Sequence, residues 1–144
     1  MNFPMFVDLT GRKVLVIGAG TIALRRIHVL LDFGARVTVI APEAQSLPEG
    51  AEYLKRPYVP GDLKGAYLAV AATDCREVHH QVYEEASALG IPVSVADCLQ
   101  ECSFYFPAIC RTENLVAGVV SDGTHHRETA RAAREIRKTL EELK

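Results

Sequence analysis

Three places along the chain combine residue types that can do chemistry. The first is Gly18-x-Gly20-x-x-Ala23, with Thr21 and Ile22 between the last two. Gly18 permits a tight turn, Gly20 lets a pyrophosphate approach the backbone, and Ala23 keeps a following helix close to its strand. The helix start then offers unpaired N–H groups and a partial positive charge to phosphates. A tight turn that binds nothing is the competing reading. The second place is Asp97, which follows the apolar run ending Val95-Ala96 and precedes Cys98-Leu99. Partial desolvation there would raise its pKa, as a general base requires; an Asp that caps a turn is the alternative. The third is Ser121-Asp122-Gly123-Thr124-His125-His126, where small residues and adjacent imidazoles precede a helix. They suit an anion, a metal or acid–base work, with His125 the second catalytic candidate; a solvated turn is the alternative.

These places need elements to hold them. Arg12 to Ile17 reads as a buried strand, Ile22 to Phe33 as a helix closed by Gly34, and Arg36 to Ile40 as a second strand. The stretch from Ala44 to Gly65 reads as loops around a short strand at Ala51 to Arg56. Tyr67 to Ala72 is a further strand. Thr73-Asp74 is the expected N-cap of a helix over Arg76 to Leu89, closed by Gly90, and Pro92 to Ala96 is the next strand. Asp74 doubles as a cofactor-adjacent candidate at a strand end. Neighbouring His79 and His80 fall within that helix and point about 100° apart, so they cannot chelate together. Alternating apolar strands and helices predict an α/β fold with a doubly wound parallel Rossmann sheet over residues 1–112.

The remainder differs in pattern. Ser103 to Ile109 and Leu115 to Ser121 read as a β-hairpin about Arg111 to Asn114, and Arg127 to Leu143 reads as one helix. Ala130, Ala133, Ile136, Leu140 and Leu143 form a stripe of near-heptad spacing. Such a stripe marks a partner surface, so 113–144 is expected to be a dimerisation arm of strand and helix.

Composition narrows the function classes. Of 144 residues, 49% are hydrophobic and 24% charged, the mix of a globular chain able to bury a core. A net charge of -2 leaves no basic surplus for nucleic acid or an anionic membrane. No apolar run reaches the roughly 18 residues of a membrane span. The first eight residues lack the basic region of a signal peptide. The four cysteines, with Cys98 and Cys102 four apart, suit free thiols in a reducing cytoplasm better than disulfides or zinc.

The cofactor choice rests on the end of the second strand. An NAD site usually places an acid there for the ribose hydroxyls. Here Ile40 holds that position and Glu43 follows three residues later. No Arg follows Ile40 to meet a 2′-phosphate, so NAD is expected over NADP; Arg25 and Arg26 in the first helix are the nearest cations.

Taken together, these segments resemble a known family, precorrin-2 dehydrogenase, the NAD-dependent module of sirohaem synthases. The resemblance rests on Phe3-Pro4-Met5-Phe6 with Leu9, on Val14 through Arg26, and on Val37 through Glu43. It continues in Leu68 through Asp74, in Val95-Ala96-Asp97, and in Ser103 through Ala108. It implies oxidation of precorrin-2, a carboxylate-rich tetrapyrrole, to sirohydrochlorin with hydride transfer to NAD. It places the catalytic Asp on Asp97 and cofactor contacts on Gly18, Gly20, Thr21, Ile22, Pro42, Glu43 and Thr73. It also implies a homodimer, and some members insert iron to make sirohaem. A non-catalytic NAD(H)- or tetrapyrrole-binding module is the alternative from another class. The family's Ser-x-Gly-Gly-x-Ser-Pro is altered here, with Thr124, His126 and Arg127 where Gly, Ser and Pro are expected. Many relatives continue into a small helical domain; this sequence ends at Lys144.

Overall fold

The structure is a computed structural model, and it describes residues 1–143. Five strands form one parallel sheet: β1 (Lys13–Ile17), β2 (Arg36–Ala41), β3 (Glu52–Lys55), β4 (Leu68–Ala71) and β5 (Val93–Val95), in the order β3-β2-β1-β4-β5. Two helices connect them, α1 (Thr21–Asp32) after β1 and α2 (Arg76–Leu89) after β4. The order reverses at β1, where the chain runs outward first through β2 and then through β4. In open α/β sheets, that reversal at the carboxyl ends opens the ligand crevice.

The strands are buried on both faces, which is why they read as unbroken apolar runs. Leu15, Ile17, Ile40, Ala69, Ala71, Val93 and Val95 face one side, where α2 adds Val82 and Ala86 and the loop after β3 adds Tyr58 and Leu63. Val14, Val16, Val39 and Val70 alternate with them and are fully buried too. The helix α1 contributes Ala23, Ile27 and Leu30, each within 2% of full burial. Each such side chain removed from water contributes about 1–3 kcal/mol.

The loop from Arg56 to Gly65, opaque in the sequence, is fastened by its own polar groups. Arg56 makes a two-pronged ion pair with Asp62, at 2.8 and 2.9 Å, and the Val59 N–H donates to the same carboxylate. The Tyr58 hydroxyl and the Gly61 N–H both donate to Glu85 on α2.

Two local expectations are corrected. The N-cap of α2 is Cys75, not Thr73-Asp74. The Thr73 hydroxyl accepts the Cys75 N–H instead, turning the chain one step before the helix. The expected strand from Ser103 starts only at Ala108, because Cys102 and Ser103 serve another purpose. The Val95 N–H donates to the Cys102 thiol and the Val93 N–H to the Ser103 hydroxyl, which covers the edge of β5.

The chain divides into two compact units, residues 4–104 and the chain from Tyr105 on with residues 1–3. In the second unit β6 (Ala108–Arg111) pairs antiparallel with β7 (Val116–Val119). The second unit is this hairpin and α3 (His126–Glu142), with Cys110 and Ala133 buried at their junction. The Cys110 thiol donates to the Ala133 carbonyl at 3.2 Å. The apolar stripe of α3 is therefore split: Ala133, Ile136 and Leu140 are wholly or partly buried, whereas Ala130 and Leu143 are exposed.

Candidate active site

All five strands run parallel, so their carboxyl ends share one edge. Residues paired at that edge are Ile17 with Ile40 and Ala71, and Ala71 with Val95. One or two residues on in each chain segment come the phosphate-loop glycine, the segment before Pro42, Thr73 and Asp97. The fold thus brings together Gly18, Gly20, Thr21, Ile22, Pro42, Glu43, Thr73 and Asp97 at one edge. His125 lies in the other compact unit.

The two loop glycines do different things. Gly18 is buried with φ +115°, and a Cβ there would strike the Ala72 carbonyl, so its role is close packing of β1 against β4. Gly20 has an ordinary φ of −80°, and a Cβ built on it meets nothing within 4 Å. It opens α1 without a side-chain cap, and the first helical hydrogen bond is Leu24 N–H to the Gly20 carbonyl. The N–H groups of Thr21, Ile22 and Ala23 precede that bond, which leaves them to an external acceptor. Thr21 is exposed and Ile22 half exposed, with Ala23 fully buried beneath. An open, uncapped helix start with space above its glycine fits a pyrophosphate. Pro42 and Glu43 are exposed beyond β2, while Ile40 points into the core, as the missing ribose acid required.

Asp97 is exposed and held by two cations or donors from α2. Its Oδ1 lies 2.7 Å from Arg76 Nη1 and 2.7 Å from His79 Nδ1. Burial pushes its carboxyl up, but the His79 hydrogen bond and the charge of Arg76 outweigh that, so its pKa falls below the ordinary 3.8. The expectation of a raised pKa is therefore wrong. The apolar neighbours in sequence do not enclose the carboxylate, whose side chain keeps 45% of its exposure. Asp97 is an ionised acceptor at neutral pH. Arg76 also pairs with Glu101, which receives His80 from one turn further along α2. That pairing raises the His80 pKa.

His79 is the residue the sequence reading passed over. It is 1% exposed, and Thr73 N–H donates to its Nε2 at 2.8 Å. The Thr73 N–H is thus spent within the protein. The signal was present: His79, Val82 and Ala86 form the buried stripe of α2, so a polar residue occupies an apolar position beside the carboxyl edge. His79 and His80 do part company, one inward and one outward.

His125 caps α3 in backbone conformation only. Its Nδ1 lies 2.9 Å from Asp122 Oδ1, which also receives the Thr124 N–H. The Asp122 hydrogen bond and charge raise the His125 pKa. The same turn lowers the Asp122 carboxyl, chiefly through hydrogen bonds from Thr124.

Known proteins are similar to this chain. A protein family described as putative NAD(P)-binding matches residues 5–108. A probable multifunctional siroheme biosynthesis protein HemA of Ruminiclostridium josui is 45% identical over 144 residues, spanning 95% of this chain and 28% of that protein. A siroheme synthase of Pseudomonas aeruginosa is 45% identical over 130 residues, 85% of this chain and 28% of that protein. The chain thus spans little more than a quarter of these curated relatives. The solved structure of SirC, precorrin-2 dehydrogenase, superposes with a TM-score of 0.77 at 27% identity, over 96% of this chain and 71% of that one. The glycine loop, the uncapped helix start and these likenesses make the chain a member of the NAD(P)-binding family to which siroheme synthases and precorrin-2 dehydrogenase are akin.

Proposed function

We propose that this chain catalyses the NAD-dependent dehydrogenation of precorrin-2 to sirohydrochlorin, the oxidation step of sirohaem biosynthesis. One observation carries the reading: an open helix start fit for a pyrophosphate and an ionised, accessible Asp97 share one edge of the sheet. The likeness to SirC, precorrin-2 dehydrogenase, supports the substrate. NAD, when bound, supplies the hydride acceptor. In this reading the N–H groups of Thr21 to Ala23 hold the pyrophosphate, and Pro42, Glu43 and Thr73 flank the rest of the dinucleotide. NAD is favoured over NADP because no cation follows Ile40. Asp97 takes the proton released with the hydride; being ionised over the working range, it needs no prior deprotonation. His125 is the second candidate for acid–base work.

The reading includes a cytoplasmic homodimer. A two-stranded hairpin is marginal alone, and Leu115, Val116 and Val120 leave apolar surface exposed on it. Anaerobic incubation of purified protein with NAD and precorrin-2 tests the function: NADH absorbance rises with turnover. A flat trace with NAD still bound would turn the chain into a binding module. Iron insertion into sirohydrochlorin without NAD would add a ferrochelatase activity.

A further inference from the structure

We propose that His79 is a positioning residue for Asp97, fixing the carboxylate at the carboxyl edge through Nδ1–H while its own ring is anchored to the Thr73 backbone. The inference rests on the reading of Asp97 as the proton acceptor and extends it to a side chain that touches neither substrate nor cofactor.

The argument starts from what a backbone amide can do. The Thr73 N–H can only donate, and it points at His79 Nε2 from 2.8 Å. Nε2 must therefore carry a lone pair, which leaves the ring proton on Nδ1. Nδ1 sits 2.7 Å from Asp97 Oδ1, so it donates to the carboxylate. A second proton on the ring would have to displace the Thr73 bond inside a site of 1% exposure. With Nε2 tied to the backbone and the Nδ1 proton aimed at the carboxylate, His79 orients Asp97.

The other charged groups around Asp97 do this less well. Arg76 donates to the same Oδ1 from α2, but both partners are 45% exposed and Arg76 is shared with Glu101 from the short helical turn Leu99–Glu101. His80 engages Glu101 and Glu84, not Asp97. Exposed pairs of this kind contribute little and move freely. A buried donor locked at its other nitrogen fixes direction as well as charge. His79 also ties β4 to the segment after β5, because Thr73 and Asp97 follow those neighbouring strands.

Two substitutions separate the contacts. An Asn side chain presents its amide near the place of Nδ1, and a Gln side chain reaches the place of Nε2. His79→Asn keeps a donor for Asp97 and loses the Thr73 anchor; His79→Gln keeps an acceptor for Thr73 and loses the donor. The readouts are the Asp97 carboxyl titration by 13C NMR, the imidazole 15N shifts of wild-type protein, and anaerobic turnover. The wild-type ring is expected as the Nδ1–H tautomer, with Nε2 as the acceptor. His79→Gln is expected to raise the Asp97 midpoint by about one pH unit, the size of one lost charge-assisted bond. The same variant should cut kcat about tenfold with KM for NAD little changed, and His79→Asn should recover most of both losses. An imidazolium or an Nε2–H tautomer at pH 7 overturns the proposal, as does an unmoved midpoint in His79→Gln or equal damage in both variants. Absent turnover in wild-type protein would overturn the dehydrogenase reading instead, and the carboxyl titration would still decide the role of His79.

Discussion

Gly18 lies against the backbone carbonyl of Ala72: a Cβ on Gly18 would sit 2.1 Å from that oxygen and 2.7 Å from its carbon. Neither atom belongs to a side chain that can swing away. Gly18 also holds φ at +115°, which disfavours any L side chain. Gly18→Ala is therefore expected to cost about 2–5 kcal/mol of stability, from overpacking and backbone strain together. Urea denaturation followed by circular dichroism measures it. A loss within a few tenths would mean that β1 and β4 can separate at little cost.

Gly20 is the contrasting case. Its φ is ordinary and a Cβ finds open space. Gly20→Val should leave the fold within about 1 kcal/mol of wild type, yet place a branched side chain where a pyrophosphate would lie. Calorimetric NAD affinity should fall at least about tenfold. Unchanged affinity would remove the phosphate from this loop.

Asp97→Ala should lower turnover by about a hundred- to ten-thousand-fold, the range of a lost general base, with NAD affinity held within a few fold. Near-normal turnover would make Asp97 a turn residue that Arg76 and His79 merely decorate. The pH profile gives an independent check. Asp97 has a folded pKa below 3.8, so its active, ionised form persists down to that region. Any ionisation of wild-type turnover between pH 5 and 8 must then come from another group, and an acid limb near pH 6 that vanishes in Asp97→Asn would contradict the assignment.

The Arg56–Asp62 pair makes a stability prediction with a definite sign. Hydrogen bonds from Arg56 hold the Asp62 carboxyl below its ordinary 3.8, against a smaller opposing effect of burial. A lowered folded pKa stabilises above the unfolded value and is lost as pH falls through the lowered one. Asp62→Asn should cost about 1–2 kcal/mol at pH 7, with the difference from wild type closing below pH 4. Denaturation at both pH values checks it; a constant difference would place the effect in packing rather than charge.

Charging the exposed face of the hairpin tests the proposed dimer without dismantling the arm. Val116 and Val120 are exposed, whereas Ile136 and Leu140 are partly buried in the arm itself. Val116→Lys with Val120→Lys should give a monomer by sedimentation with the α3 helicity retained. A wild-type chain that already sediments as a monomer at micromolar concentration would refute the dimer.

Much of this was legible in the sequence, for physical reasons. Short unbroken apolar runs, bounded by glycines and prolines and alternating with helical patterns, read as strands covered on both sides, so β1, β2, β4 and β5 announced a parallel sheet, and parallel strands put Gly18, Thr73 and Asp97 at one edge. The pKa direction of Asp97 was not legible, because it depends on Arg76 and His79, which lie about 20 residues away and meet it only once α2 lies across the sheet. The hairpin start was misread because Ser103 has β-like neighbours yet spends its hydroxyl on Val93. The loop at Arg56 to Gly65 is held by ion pairs and hydrogen bonds, which leave no periodic trace in sequence.

The Cys110 thiol makes the second unit its own timer. It is sealed between hairpin and α3, bonded to the Ala133 carbonyl, while Cys75 stands exposed on the other unit. A thiol reagent can meet Cys75 at once but must wait for α3 to lift before it meets Cys110. The ratio of the two labelling rates reads the opening equilibrium that exposes Cys110, with no spectroscopic probe added. If the arm is completed by a second copy, mass action will lengthen that wait as protein concentration rises. The cysteine reports on assembly as well as on local unfolding.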